Sequence, residues 1–147
     1  MISLLRVLHI LLAIAALGTN LTFPIWTRLA ERDGSSLAFT LTGVRFVDRW
    51  VTIPSYLLCA ITGVALVLAL GIPFGAAWVW VSIALLVLLM ALGFGPYRPL
   101  SRLRLELARD GGSGTEYRAA DRRIDYLDGA ILGAAVLITV LMTVRPV

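Results

Sequence analysis

Apolar residues along this chain fall in long runs, and polar residues gather between them. The first run extends from about Leu4 to Trp26, the second from Val51 to Ile72, the third from Ala76 to Phe94 and the fourth from Leu127 to Val144. Each is close to the roughly 20 residues a helix needs to cross a hydrocarbon core. The pattern predicts an all-α fold, a single domain over residues 1–147 built as an antiparallel bundle of four transmembrane helices. Pro54 falls in the first turn of the second run, where a missing N–H is tolerated. Residues 71–75, Gly-Ile-Pro-Phe-Gly, read as a tight turn that makes runs two and three a hairpin.

The polar stretch after run three keeps a helical period. Ser101 to Asp110 places Leu103 and Leu107 on one side and stops at Gly-Gly-Ser-Gly, residues 111–114. Thr115 is suited to capping a new helix, which then reads straight into run four. A helical extension of the third and fourth helices is expected, its tip at the glycines. The alternative lays this stretch along the lipid surface, with its arginines on anionic headgroups.

Composition agrees with the pattern. Hydrophobic residues make up 59% of the chain and charged residues 15%, against about a quarter charged in a soluble domain. Mean hydropathy is +0.90. The lipid bilayer is therefore the first partner. The net charge of +4 does not point to nucleic acid, because the basic groups flank apolar runs and form no solvated patch. All 13 basic residues are arginine, which excludes lysine chemistry such as a Schiff base. Cys59 stands alone, so neither an intrachain disulfide nor a cysteine zinc site is available. The first run continues past Ala13-Ile14-Ala15 and is too long for a signal-peptide core, so it reads as a retained helix.

Charge also orients the bundle. Arg28, Arg32, Arg45 and Arg49 follow run one, and Arg98, Arg102, Arg104, Arg109, Arg118, Arg122 and Arg123 follow run three; with four spans these share one face. Arg6 and Arg145 lie on the other. The positive-inside rule then puts the long connections in the cytoplasm and both termini outside, in a bacterial inner membrane. Trp26, Trp50, Trp78 and Trp80 lie near span ends, as an aromatic belt requires.

The first run carries a polar stripe. Arg6, His9, Ala13, Ala16, Asn20 and Thr27 follow at helical steps and share one face, while the other faces are leucine and isoleucine. Small and polar residues belong at helix–helix contacts in a membrane, so the stripe is expected to look into the bundle. Arg6 is near enough to the end to snorkel; His9 and Asn20 are either interhelical contacts or functional groups. In run four, Asp125 and Asp128 share a face near the cytoplasmic end. They suit a helix N-terminus and pairing with Arg122 or Arg49. Gly129 and Gly133 form a G-x-x-x-G expected to pack within the bundle. By depth, Thr139, Met142, Trp78 and Ser82 belong at the level of His9. Cys59 and Met90 should lie too far inward to reach it, and Asp128 most of a membrane away.

The opening Leu8-His9-Ile10, the proline-bearing second run with Thr62-Gly63 and the closing Arg145-Pro146 resemble a bacterial family of small predicted integral membrane proteins of unknown function. That family is distantly similar to CopD-type copper-resistance proteins and HemJ-type protoporphyrinogen oxidases. The HemJ likeness implies haem b with histidine ligation and the CopD likeness implies copper, and in either case His9 is the ligand that carries over. Met142 is placed by depth as a second axial ligand, or two copies of His9 are shared across a dimer.

Three functions stay open. One is a non-enzymatic accessory or scaffold protein, alone or in a larger membrane complex. Another is a haem-b redox protein with His9 as ligand and Arg6 near a propionate. The third is an oligomeric ion or small-molecule pathway lined by Arg6, His9 and Asn20. No nucleophile–base pair or phosphate loop stands out.

Overall fold

The structure, a computed structural model, describes residues 2–34, 36–73, 75–111 and 114–144. Arg145 and Pro146, two of the residues that carry the resemblance, lie outside them. Among the described residues the chain is all helical. Four long helices are apolar enough to cross a membrane: α1 (Ile2–Asp33), α2 (Leu37–Ala69), α3 (Ala77–Arg109) and α4 (Thr115–Val144). They run up and down in sequence order. The closest backbone approaches are within the pairs α1–α2 and α3–α4, with α4 also against α1. The hairpin of runs two and three is thus joined by its turn but packs mainly outside itself.

The helices have 30 to 33 residues, about 45–50 Å at 1.5 Å per residue, against a hydrocarbon core of about 30 Å. The excess lies at the end where the arginines gather. All four helices continue past their apolar runs at that end, α1 and α2 as well as the expected α3 and α4. The stretch Leu37–Val47, read from sequence as part of a connection, is helical because Leu37 and Leu41 have a core to enter. They pack with Ala30, Leu105 and Tyr117, supported by Leu107 and Ala108. This core also excludes the layout along the lipid surface. The buried face of Arg98–Arg109 is Arg104 and Leu105, and Leu103, on the side it shares with Leu107, is exposed. Thr115 is the first residue of α4 and not its cap; the Gly114 carbonyl accepts the Arg118 N–H at 3.2 Å.

At the opposite end α2 stops at Gly71, whose φ of +62° is the left-handed conformation that closes helices. The Ile72 N–H returns to the Val67 carbonyl at 3.1 Å. Val67, Trp78 and Val79 form the core there, and Met142 packs against it. Trp78 is therefore a core residue, while Trp26, Trp50 and Trp80 are exposed as a belt requires.

Two of the long helices are not regular throughout. Asp48–Thr52 in α2 and Gly93–Tyr97 in α3 are single π-helical turns. Proline accounts for both. Pro54 follows the first and Pro96 sits in the second, and a proline ring inside a helix removes an N–H and crowds the carbonyl four residues back. Widening the turn relieves this without ending the helix: the Ile53 N–H reaches back five residues to the Asp48 carbonyl. Gly93–Tyr97 is thus a wide turn inside α3, which continues as helix to Arg109.

Candidate functional site

The seam between α1 and α2 is built from polar rungs. His9 Nδ1 lies 2.9 Å from the Thr62 hydroxyl, Thr52 donates to Thr19 at 2.9 Å, and the Asn20 amide donates to the Tyr56 hydroxyl at 2.5 Å. The helices run antiparallel, so residue numbers fall on one side as they rise on the other. On the same face of α1 as Asn20, Ala16 and Thr27 are buried. Thr27 spends its hydroxyl on its own helix, donating to the Phe23 carbonyl at 3.0 Å. Arg6, at the end, is exposed.

His9 meets Gly63 as well as Thr62. A Cβ on Gly63 would come within 3.1 Å of His9 Cε1, so the glycine is what admits the imidazole. Leu8-His9-Ile10 and Thr62-Gly63 thus meet in space. Cys59 Sγ lies 3.5 Å from His9 Nδ1, which corrects the expectation that depth keeps them apart. Thr62 is directly opposite His9, and Cys59 is only one turn away, within reach of the ring. Met142 sits in the separate apolar cluster of Val67, Trp78 and Val79.

Toward the arginine-rich end the two helix pairs part around a cavity of about 40 Å³. Asn20 comes to it from α1, Asp48, Thr52 and Tyr56 from α2, Met90, Gly93, Phe94 and Tyr97 from α3, and Asp128 and Ile131 from α4. Both π turns border it. An α-helix with one wide turn displaces the residues there from their regular positions, and such turns recur at functional sites. Here the displacement carries Asp48 and Tyr97 to the chamber. The Arg98 guanidinium lies 4.4 Å over the ring of Phe94, which lines the cavity. Asn20 and Asp128, which the sequence assigns to different features, line one space. Asp48, Tyr56 and Tyr97 were not anticipated. Asp48 lies between Arg45 and Arg49 and looks like part of a connection, but Asp48, Thr52 and Tyr56 recur every four residues, a signal of one polar helix face.

Beyond the chamber lies a charged cluster. Arg104 is only 7% exposed and pairs with Asp121 and with Glu31 at 3.5 Å. Tyr117 donates to the same Glu31 carboxylate at 2.8 Å. Asp125 pairs with Arg28 at 3.0 Å, and not with the Arg122 or Arg49 expected from sequence. Asp121, Asp125 and Asp128 recur at steps of four and three, so one side of α4 presents carboxylates from the arginine-rich tip down to the chamber. Gly129 and Gly133 are not close-packing residues in this chain: a Cβ at either would meet nothing within 4 Å. α4 packs instead through Ile124, Ile131, Ala134 and Ala135.

No curated protein and no solved structure matches the chain. Residues 3–146 match the model of a family described as "Predicted integral membrane protein (DUF2269)". That match takes in all four helices, and the chain belongs to this family of predicted integral membrane proteins.

Proposed function

We propose that the chain is a non-enzymatic membrane component that takes a proton or a small monovalent cation into the chamber between Asp48 and Asp128. The observation that carries this reading is that carboxylates from α2 and α4 line one cavity of about 40 Å³. Two negative charges in a poorly solvated space repel, and a shared proton or a bound cation relieves the repulsion. The other polar groups at hand, from Asn20, Thr52, Tyr56 and Tyr97, offer oxygen, which suits hard cations. Among the described residues no three histidine, cysteine or acidic side chains form a metal-ligand group, so a divalent ion is less well served. The volume suits roughly three waters, enough for a small ion and far too little for a porphyrin. Ionisable groups at membrane depth are functional candidates by default.

In this reading His9 is an interhelical contact, and the arginine-rich end faces the cytoplasm by the positive-inside rule. The chamber then communicates with the cytoplasmic side. A single chain of four spans is small for a pathway, so a homo-oligomer or a larger complex completes it.

The test is the thermal unfolding midpoint of detergent-purified protein in sodium, potassium or choline salts across a pH series. The expected result is a midpoint that depends on one cation or on pH, with the dependence abolished in both Asp48→Asn and Asp128→Asn. Saturating a site at 100 times its dissociation constant stabilises by about 2.7 kcal/mol, a readily measured shift. A midpoint indifferent to cation and pH, or variants that respond like the parent, overturns the reading. A b-type haem spectrum in the purified protein that is lost in His9→Ala would replace it.

A further inference from the structure

A second concave surface lies at the α1–α2 tip, away from the chamber. It is an open groove of about 550 Å³ lined by Trp26, Leu29, Ala30, Arg32, Asp33, Ser36 and Thr40. Its lining changes character along the helix axis. Trp26 and Leu29 are apolar and more than half exposed, and they form the wall nearer the membrane. Arg32 and Ser36 form the wall farther out, while Thr40, on the returning α2, lies nearer the level of Ala30. We infer that this groove binds the phosphodiester headgroup of an anionic phospholipid, with Arg32 on the phosphate and the acyl chains against Leu29 and Trp26.

Charge pairing separates Arg32 from its neighbours. Arg28 is taken by Asp125 and Arg104 by Asp121 and Glu31. Arg32 makes no ion pair among the described residues. The one acid in the groove, Asp33, accepts a hydrogen bond from the Ser36 hydroxyl at 3.1 Å. A planar guanidinium with no ion-pair partner among the described residues matches the oxygens of a phosphate in geometry as well as charge.

Depth selects a lipid as the source of that phosphate. Trp26 ends the apolar run of α1, the level at which tryptophan marks the membrane interface. Arg32 lies six residues farther, about 9 Å along the axis. Side chains on a helix tilt toward its N-terminus, and the N-terminus of α1 is at the far end of the membrane span. The Arg32 side chain therefore leans back toward the headgroup layer, above the apolar wall that an acyl chain would cover.

The experiment is native mass spectrometry of the detergent-purified full chain, titrated with phosphatidylglycerol or phosphatidylcholine of matched acyl chains. Phosphatidylglycerol should be retained in preference, and Arg32→Gln should reduce its retention about fivefold, the effect of one basic residue near an anionic surface. Arg123→Gln, an exposed arginine outside the groove, should leave retention unchanged, and inorganic phosphate should not compete. Arg32→Lys, which keeps the charge but not the fork, should fall between and guards against a folding artefact. Equal loss in Arg123→Gln overturns the site in favour of diffuse electrostatics. Competition by inorganic phosphate overturns the lipid as its source. Equal retention of the two lipids by the parent chain overturns the inference altogether.

Discussion

The two ends of the bundle solve the same problem by different means. At the turn end, α1 meets α2 through uncharged contacts, His9 on Thr62 and Gly63, and α2, α3 and α4 meet in an apolar core of Val67, Trp78, Val79 and Met142. At the arginine-rich end the helices hold charges of both signs around Arg104 and leave a chamber below them. Polar contacts between membrane helices average only about 0.6 kcal/mol, because the separated helices also find partners. A buried ion pair differs in kind, since removing one member strands the other. The turn end should therefore yield gradually to substitution, and the arginine-rich end abruptly.

The largest effect is expected at Arg104. Arg104→Met removes the cation that compensates Glu31 and Asp121 and should cost about 3–5 kcal/mol, read as a fall in unfolding free energy measured by steric trapping in bicelles. His9→Ala at the other end should cost about 1 kcal/mol or less on the same scale. Equal costs at the two ends would erase the distinction drawn between them.

Gly63 sharpens the comparison from the turn end. Gly63→Ala places a methyl 3.1 Å from His9 Cε1, and overpacking of this kind costs about 1–3 kcal/mol. Gly18→Ala, on the other seam-forming helix, α1, meets nothing within 4 Å and should gain up to about 1 kcal/mol from helix propensity. The two substitutions are chemically identical and should move the thermal midpoint in opposite directions. If both destabilise, close contact with His9 is not what Gly63 provides.

These contrasts also mark what the sequence could convey. Four apolar runs announce four helices, because a bilayer imposes length and composition on each run separately. The face of α1 that turns inward was legible for the same reason: Ala16, Asn20 and Thr27 recur with the helical period. Helix ends were less so. Leu37–Val47 reads as a connection until its apolar residues are seen to share a core with Leu105 and Tyr117, residues distant in sequence. Contacts between helices were least legible, since a period on one helix does not set its register against the next. That is why Cys59 was expected away from His9 and Asp125 beside Arg49. The chamber needed all of these at once, with two prolines widening two helices at one level. Neither Asp48 nor Tyr97 shows that from its own neighbours.

The smallest effect belongs to the ion pair that looks most conspicuous. Arg28 and Asp125 meet at 3.0 Å, but their side chains are 66% and 38% exposed. Water already solvates both, and holding two flexible side chains in one geometry costs entropy. Pairs of this kind contribute about 0–1 kcal/mol, and salt screens them over a Debye length of about 10 Å at 0.1 M. Arg28→Gln and Asp125→Asn should each cost less than about 1 kcal/mol, and the loss should shrink further at high salt. The loss at Arg104 should persist there, because its partners are shielded from the ions. Measuring both variants at low and high salt tests burial itself: a salt-sensitive Arg104 would place that cluster in contact with solvent. A large, salt-resistant cost at Arg28 would instead extend the buried network outward to Asp125, making the carboxylate face of α4 a single coupled unit down to the chamber.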